Sequence, residues 1–170
     1  MKYETLLDLD RKRYANGKVP LWQWFWRKSQ EDNWGWIRKC YWIIAGILKK
    51  MRGIEISRNV IFGGGAYFGH AYVITINAGA KLGNNINIHK GVTIGQENRG
   101  PRKGVPTIGN DVWIGINSTI VGKITIGNDV LIAPNSFVNR DIPAHCIVIG
   151  NPCVIHAKDN ATQGYINRRI

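Results

Sequence analysis

What this chain has little of narrows the field first. Its three cysteines, Cys40, Cys146 and Cys153, are odd in number and include no Cys-x-x-Cys pair. That argues against a disulfide framework and suits a reducing cytoplasm. The longest apolar run, "CYWIIAGIL" at 40–48, is nine residues, against about 20 for a membrane-spanning helix. The first four residues already carry Lys2 and Glu4 with no apolar stretch behind them, so no signal peptide is expected. Acidic residues are scarce: 11 Asp+Glu face 23 Lys+Arg, a formal charge of +12. Such a surface favours anionic partners. The excess is spread, with 12 basic against 5 acidic residues in 1–53 and 11 against 6 in the remainder. No nucleic-acid-binding motif accompanies it, so no nucleic acid partner is expected.

What the chain has is a beat of six. Residues 108–131 read "IGNDVWIGINSTIVGKITIGNDVL", with isoleucine at 108, 114, 120 and 126, continuing through Ile132 and Val138. A second series trails by four: Val112, Ser118, Ile124, Val130 and Ser136. Helices repeat every 3.6 residues and strands every 2, so a strict six is neither in simple form. Gly109, Gly115 and Gly127 follow the aliphatics, often with Asn or Asp next, and these residues tolerate the positive φ of bends. The frame recurs at Leu82, Ile88 and Ile94 with Ile86 and Val92, and at Ile56, Phe62, Phe68 and Ile74 with Val60, Ala66, Tyr72 and Ala78. Short strands turning at each bend stack into a solenoid with a shared core. The spacing predicts a mainly β protein, a left-handed parallel β-helix over 54–155. Ile74 to Leu82 is eight residues and predicts a bulge there; Ile94 to Ile108 is fourteen and predicts an external loop over 95–107. Residues 156–170 read as a C-terminal tail.

Over residues 1–53 the sixes vanish, and this segment holds six of the seven tryptophans. Trp34, Ile37, Tyr41, Ile44 and Leu48 fall at helical spacing and predict a helix over 34–51, with Ser29 or Asp32 as its cap and Lys49, Lys50 and Arg52 near its C-terminus. A shorter helix is expected over 2–15. The segment reads as a helical cap on the solenoid end. A second reading lays 20–52 on an anionic membrane surface, with Trp at headgroup level; the localisation is then cytoplasmic, peripheral to the inner membrane.

Chemistry needs titratable groups, and the histidines number four: His70, His89, His145 and His156. Glu55 and His70 are fifteen residues apart. With coils of three six-residue sides, that spacing brings them together from neighbouring coils. A carboxylate beside an imidazole fixes its tautomer and stabilises its charged form, which equips the pair as a general base on an alcohol. A zinc site would need three convergent histidines. His70, His89 and His145, spaced 19 and then 56, are unlike the γ-type carbonic anhydrases, so no metal is expected.

From Gly53 to about Ile155 the chain resembles bacterial serine acetyltransferases and their relatives in glycan gene clusters, hexapeptide-repeat acyltransferases. There a D-I-H-P segment is followed, fifteen residues after its Asp, by the catalytic His of D-H-A-T-G-I. "EISR" at 55–58 and "GHAYVI" at 69–74 match these, and "INIHKGVTIG" at 86–95 resembles the run ending V-T-L-G. The resemblance implies an acetyl-CoA-dependent O-acetyltransferase, a homotrimer with the cofactor in a groove between subunits. It implies His70 as the base and Glu55 as its partner. It also implies cofactor contacts at Gln96, Ile116 and Pro134, the "IGNPCVIHAK" tail at the adenine end, and Arg140 or Lys158 at the phosphates.

The departures lie on the acceptor side, at Gly69, Ser57, Gly104 and Val105, and His89 is a further candidate substrate contact, facing outward near the groove. Gly69 replaces the Asp before the catalytic His, Ser57 the His of D-I-H-P, and Gly104 and Val105 the Arg and His of the loop ending R-H-P-K-I, whose His helps hold serine. Valine cannot hydrogen-bond a zwitterionic acceptor. A sugar hydroxyl in polysaccharide biosynthesis is therefore the first expectation for the acceptor, with L-serine the alternative. A non-catalytic hexapeptide scaffold would bind no CoA, and a nucleotidyltransferase would need a further nucleotide-binding domain.

Overall fold

A computed structural model describes residues 3–31 and 35–170. Three helices precede fifteen short strands among the described residues: α1 (Leu6–Arg13), α2 (Leu21–Lys28), α3 (Gly35–Lys50), β1 (Glu55–Ile56), β2 (Ile61–Phe62), β3 (Tyr67–Gly69), β4 (Thr75–Ile76), β5 (Lys81–Leu82), β6 (Asn87–His89), β7 (Thr93–Gly95), β8 (Thr107–Ile108), β9 (Val112–Ile114), β10 (Thr119–Val121), β11 (Thr125–Ile126), β12 (Val130–Ile132), β13 (Phe137–Val138), β14 (Cys146–Ile149) and β15 (Val154–Ala157). Through β13 every third strand joins one sheet, and β14 and β15 then follow β12 on face three. Face one is β1-β4-β7-β10-β13, face two β2-β5-β8-β11 and face three β3-β6-β9-β12-β14-β15. Pairing is parallel throughout except that β15 runs antiparallel to β14. The result is the expected left-handed β-helix, a three-walled prism of about five turns.

The beat of six is the inward set. All the first-position residues, from Ile56 through Val138, are buried, and so are Val60, Ala66, Ile86, Val92, Val112, Ser118, Ile124, Val130 and Ser136. Alternation then turns the intervening strand residues outward. Along the edge between faces two and three the bends are locked by a column of asparagines. Asn84, Asn110 and Asn128 each accept a backbone N–H from the preceding coil, from Gly64, Asn84 and Asn110, at 2.9, 2.8 and 2.7 Å.

The eight-residue gap is resolved differently from the expectation. Ile74, Ile76 and Ala80 are all buried, while Tyr72 and Ala78, expected inward, are exposed. Glu55 pairs with Thr75, twenty residues on, whereas Thr75 pairs with Thr93, eighteen on. The extra two residues therefore sit before Ile74, in the bend His70–Val73, and not after it. Both ends of that bend have positive φ, 51° at His70 and 52° at Val73. A β-branched residue there is strained, and such strain gathers at functional bends. The longer insertion lies where expected: residues 96–106 leave the edge between faces one and two, and Glu97 and Gly104 exchange both backbone hydrogen bonds at 3.0 Å.

The N-terminal segment divides in two. Trp22 and Trp26 of α2 are fully buried in one cluster with Ile56, Val60, Phe62 and Phe68 of the first coil. Trp22 meets Phe68 edge-on at 4.8 Å, and the Trp26 indole donates to the Ser57 carbonyl. This helix closes the open end of the prism, the capping expected of the segment, although helices were expected only over 2–15 and 34–51. Beneath it, Asp10 of α1 and Arg27 of α2 form a buried ion pair at 2.7 Å. Asp10 also accepts from the Ala66 amide and Gln23, and Arg27 donates to the carbonyls of Phe62 and Gly63. The helix expected over 34–51 is α3; Trp34 and the cap Asp32 lie outside the described residues, as does Lys2 of the helix expected over 2–15. Ser29 is instead the C-cap of α2, its hydroxyl bonded to the Trp26 carbonyl. Trp36, Trp42, Ile43, Ile47 and Met51 of the α3 region are exposed. No helix among the described residues is long and apolar enough to cross a membrane.

The tail folds back along the prism. Ala161 and Thr162 donate to Asp129, Arg169 pairs with Asp111 at 3.0 Å, Asn87 donates to the Tyr165 carbonyl, and the Ile170 amide donates to Asn85. Arg13 of α1 grips the Asn167 carbonyl at 2.9 Å.

Candidate active site

The edge between faces three and one is built from bends that stack coil upon coil. The Val73 amide donates to the Arg52 carbonyl, Gly91 to Tyr72, Asn117 to Lys90, and Asn135 to Ile116. His70 opens the second of these bends, and Glu55 begins the strand leaving the first. Glu55 N–H donates to the Ile74 carbonyl at 2.7 Å, at the far end of the bend that His70 opens. Both side chains are exposed, and among the described residues neither has a hydrogen-bond or ion-pair partner. The two groups share one edge of the prism, but they are not bonded to each other. Because the first coil is twenty residues long, His70 lies five residues before the partner of Glu55, on the bend itself and not on its face.

Ile116 and Pro134 stand on this same edge, farther along the axis. Beyond them the Gly150–Cys153 turn closes the line, with Phe137 N–H bonded to the Gly150 carbonyl at 3.0 Å. His70, Ile116, Pro134 and the start of the "IGNPCVIHAK" stretch thus form one row, as an extended ligand would require. Gln96, Gly104, Val105 and Arg140 lie instead at the edge between faces one and two. Gln96 Oε1 accepts from Asn77 at 3.3 Å, and Val105 packs against Gly79. Lys158 lies at the third edge, its amide bonded to the His145 carbonyl. His145 is on that edge too, with Nδ1 2.9 Å from Asp129, and so is not beside Ile116 and Pro134. A single chain cannot present all five expected cofactor residues to one ligand. A groove between subunits could join two edges, and Lys158 on the third drops out of the set.

Gly69 and His89 are register partners on β3 and β6. A Cβ at Gly69 would lie 2.5 Å from His89 Nδ1 and 2.6 Å from Cε1, so the ring occupies the volume a side chain at 69 would take. The imidazole lies tilted against Trp113 at 4.7 Å, and Trp113 meets Tyr165 edge-on at 5.1 Å. Burial, then the nearby His70, pushes the His89 pKa below the ordinary histidine value. Trp113 and Tyr165 were not singled out in the sequence; a lone tryptophan on a strand carries no signal until its neighbours are known. Glu55 also borders a cavity of about 530 Å³ between α3 and the first coil, lined by Trp42, Ile43, Ile47 and Lys49. Among the described residues no group of His, Cys, Asp or Glu could hold a metal ion.

The bacterial transferase hexapeptide (six repeats) family matches residues 106–140. A serine acetyltransferase of Helicobacter pylori is 30% identical over 125 residues, covering 72% of this chain and 73% of that one. One from Synechococcus elongatus is 32% identical over 110 residues, 65% of this chain and 45% of that one. The crystal structure of Neisseria gonorrhoeae serine acetyltransferase superposes with a TM-score of 0.75 at 26% identity, over 91% of this chain and 66% of that one. The stacked prism and its repeat define a hexapeptide-repeat transferase of the β-helix class. Within that class, the chain belongs to the serine acetyltransferase family. It spans about half the length of the relatives from Synechococcus elongatus, Staphylococcus xylosus and Mycobacterium tuberculosis. These names favour the alternative acceptor, serine; none of them supports the resemblance to glycan-cluster enzymes.

Proposed function

We propose that this chain is an acetyl-CoA-dependent O-acetyltransferase with His70 as its general base. The observation that carries the reading is the row on one edge: His70 on a strained bend, then Ile116, Pro134 and the Gly150 turn. His70 would remove the proton from an acceptor hydroxyl as that oxygen attacks the thioester carbonyl carbon. Backbone N–H groups would receive the oxyanion. As the carbon–sulfur bond breaks, the imidazolium would return its proton to the departing thiolate. Glu55, with no partner of its own, would stabilise the imidazolium by turning toward it. Ile116 and Pro134 would line the pantetheine arm. A homotrimer would set the edge bearing Gln96 and Arg140 of one subunit across from the His70 edge of the next.

The relatives' names make L-serine the first acceptor to test. A sugar hydroxyl is the second reading, and a specific observation favours it: Gly69 and the apolar Val105 leave no polar side chain where the family's acceptor motif has Asp and His. Thiol release from acetyl-CoA, with serine and with sugars, tests the function. His70→Ala should cut turnover by about 10²–10⁴-fold. Unchanged turnover in that variant would remove His70 from its role, and no thiol release with any alcohol would leave a scaffold.

A further inference from the structure

The two helices of segment 20–52 dispose of their side chains in opposite ways. α2 commits Trp22 and Trp26 to the core. α3 turns a small and mixed face inward: Ala45 and Lys49 are buried, Leu48 packs against the core, and Tyr41 meets Trp24 edge-on at 5.7 Å. Lys49 donates to the Ile56 carbonyl on β1. The apolar bulk goes outward. Trp36, Cys40, Ile43 and Ile47 follow one another at helical spacing and are all exposed, and Met51 continues the line just past the helix end. Trp36 is 67% exposed, Ile47 58% and Met51 75%, so no described part of the chain covers this stripe.

Its border is basic. Lys39 and Lys50, three turns apart on one flank, are exposed and have no ion-pair partner among the described residues. Arg38 and Arg52 adjoin them in sequence, and α3 contains no Asp or Glu. A second copy docked stripe to stripe would therefore set lysines against a helix without a carboxylate. The stripe is also small for a protein partner. Its sixteen residues make a helix about 24 Å long, and one face about 10 Å wide offers roughly 240 Å², against about 800 Å² per partner in a stable protein interface. A bilayer bearing anionic lipid suits both features. Tryptophan settles among the headgroups, aliphatic side chains reach the acyl boundary, and lysines meet lipid phosphates. The helix cannot cross a bilayer, so it would lie in the surface plane.

We propose that the outward stripe of α3, from Trp36 to Met51 with Lys39 and Lys50 on its flank, docks this protein on an anionic membrane surface. The proposal goes beyond acetyl transfer and does not depend on it.

The test is co-sedimentation of the full chain with vesicles of phosphatidylcholine, with and without phosphatidylglycerol. The parent should bind the vesicles that contain phosphatidylglycerol, and less so as salt rises. Lys39→Gln with Lys50→Gln should weaken binding about fivefold per lysine. Arg99→Gln with Lys103→Gln removes the same charge from the exposed loop after β7 and should leave binding nearly unchanged. Ile47→Ser with Met51→Ser should weaken it about tenfold through lost apolar burial. These side chains are exposed, so both variants should keep the parent's circular dichroism. Absence of parent binding to phosphatidylglycerol vesicles would overturn the proposal. So would equal weakening by the two charge-removing pairs, which would make the attraction one of net charge alone. A changed oligomeric mass in Ile47→Ser with Met51→Ser, read by light scattering, would assign the stripe to a contact between copies instead.

Discussion

Gly69 and His89 compete for one volume, and this makes a prediction about stability apart from activity. Gly69→Ala would force the His89 ring to move, since Nδ1 stands 2.5 Å from the new Cβ. Overpacking of this kind costs about 1–3 kcal/mol. Adding His89→Ala should return most of it, so the two substitutions should be strongly non-additive in urea unfolding. Asp129 carries a second residue-scale prediction. Burial opposes its ionisation, but bonds from the Thr162 hydroxyl and amide, His145 and the Ala161 amide outweigh that and hold its pKa below the ordinary carboxylate value. A lowered folded pKa means its stabilisation is complete above the unfolded value and is lost as pH falls through the folded one. The Ala161 and Thr162 amides should therefore lose their protection, measured against the intrinsic exchange rate at each pH, only below the ordinary carboxylate range. In Asp129→Asn they should be deprotected already at neutral pH, with a stability loss of about 1–3 kcal/mol. That Glu55 and His70 share one edge was legible at this scale from their spacing; that they stand unbonded, on a coil of twenty residues and not eighteen, was not. The ring that excludes a side chain at 69 was not legible either, because spacing shows which residues pair across a coil and not which volume the His89 side chain fills.

At the scale of elements, α2 shows why an amphipathic pattern can hide. Its buried face is Trp22, Gln23, Trp26 and Arg27, half of it polar, so hydrophobic spacing alone does not mark a helix there. Arg27 is buried because Asp10 and two carbonyls of the first coil satisfy it. Removing one member of such a pair strands the other charge, at a cost of about 3–5 kcal/mol. Arg27→Met should thus lower the melting temperature sharply, and Asp10→Leu added to it should restore much of the loss. Equal damage in the double variant would show that the ion pair does more than compensate itself. α3 was legible because its inward and outward residues keep helical spacing.

For the whole molecule, the period of six was the most legible feature, because it recurs at two buried positions everywhere but around Ile74, where Tyr72 and Ala78 are exposed. Its interruptions were located less well. An extra pair of residues can be drawn on either side of Ile74 in the sequence, and only burial decides that it lies at His70. The loop after β7 offers a test. Thr93 pairs with Thr119, twenty-six residues on, whereas Thr119 pairs with Phe137, eighteen on. Deleting 97–104 removes the eight-residue excess. The shortened chain should keep its β-rich circular dichroism and melt within a few degrees of the parent, since surface insertions contribute little to stability. Loss of the fold would mean the loop is part of the core's assembly.

The tail's return path bears on how this molecule comes apart. A stack of coils that touch only their neighbours would fray from either end, one turn at a time. Here the last ten residues tie Asp129, Asp111, Asn87 and Asn85 to one another and to Arg13 of the first helix. Like a strap buckled around a pile of plates, they make the bottom coil's release depend on the top one's, so melting should run as a single concerted event.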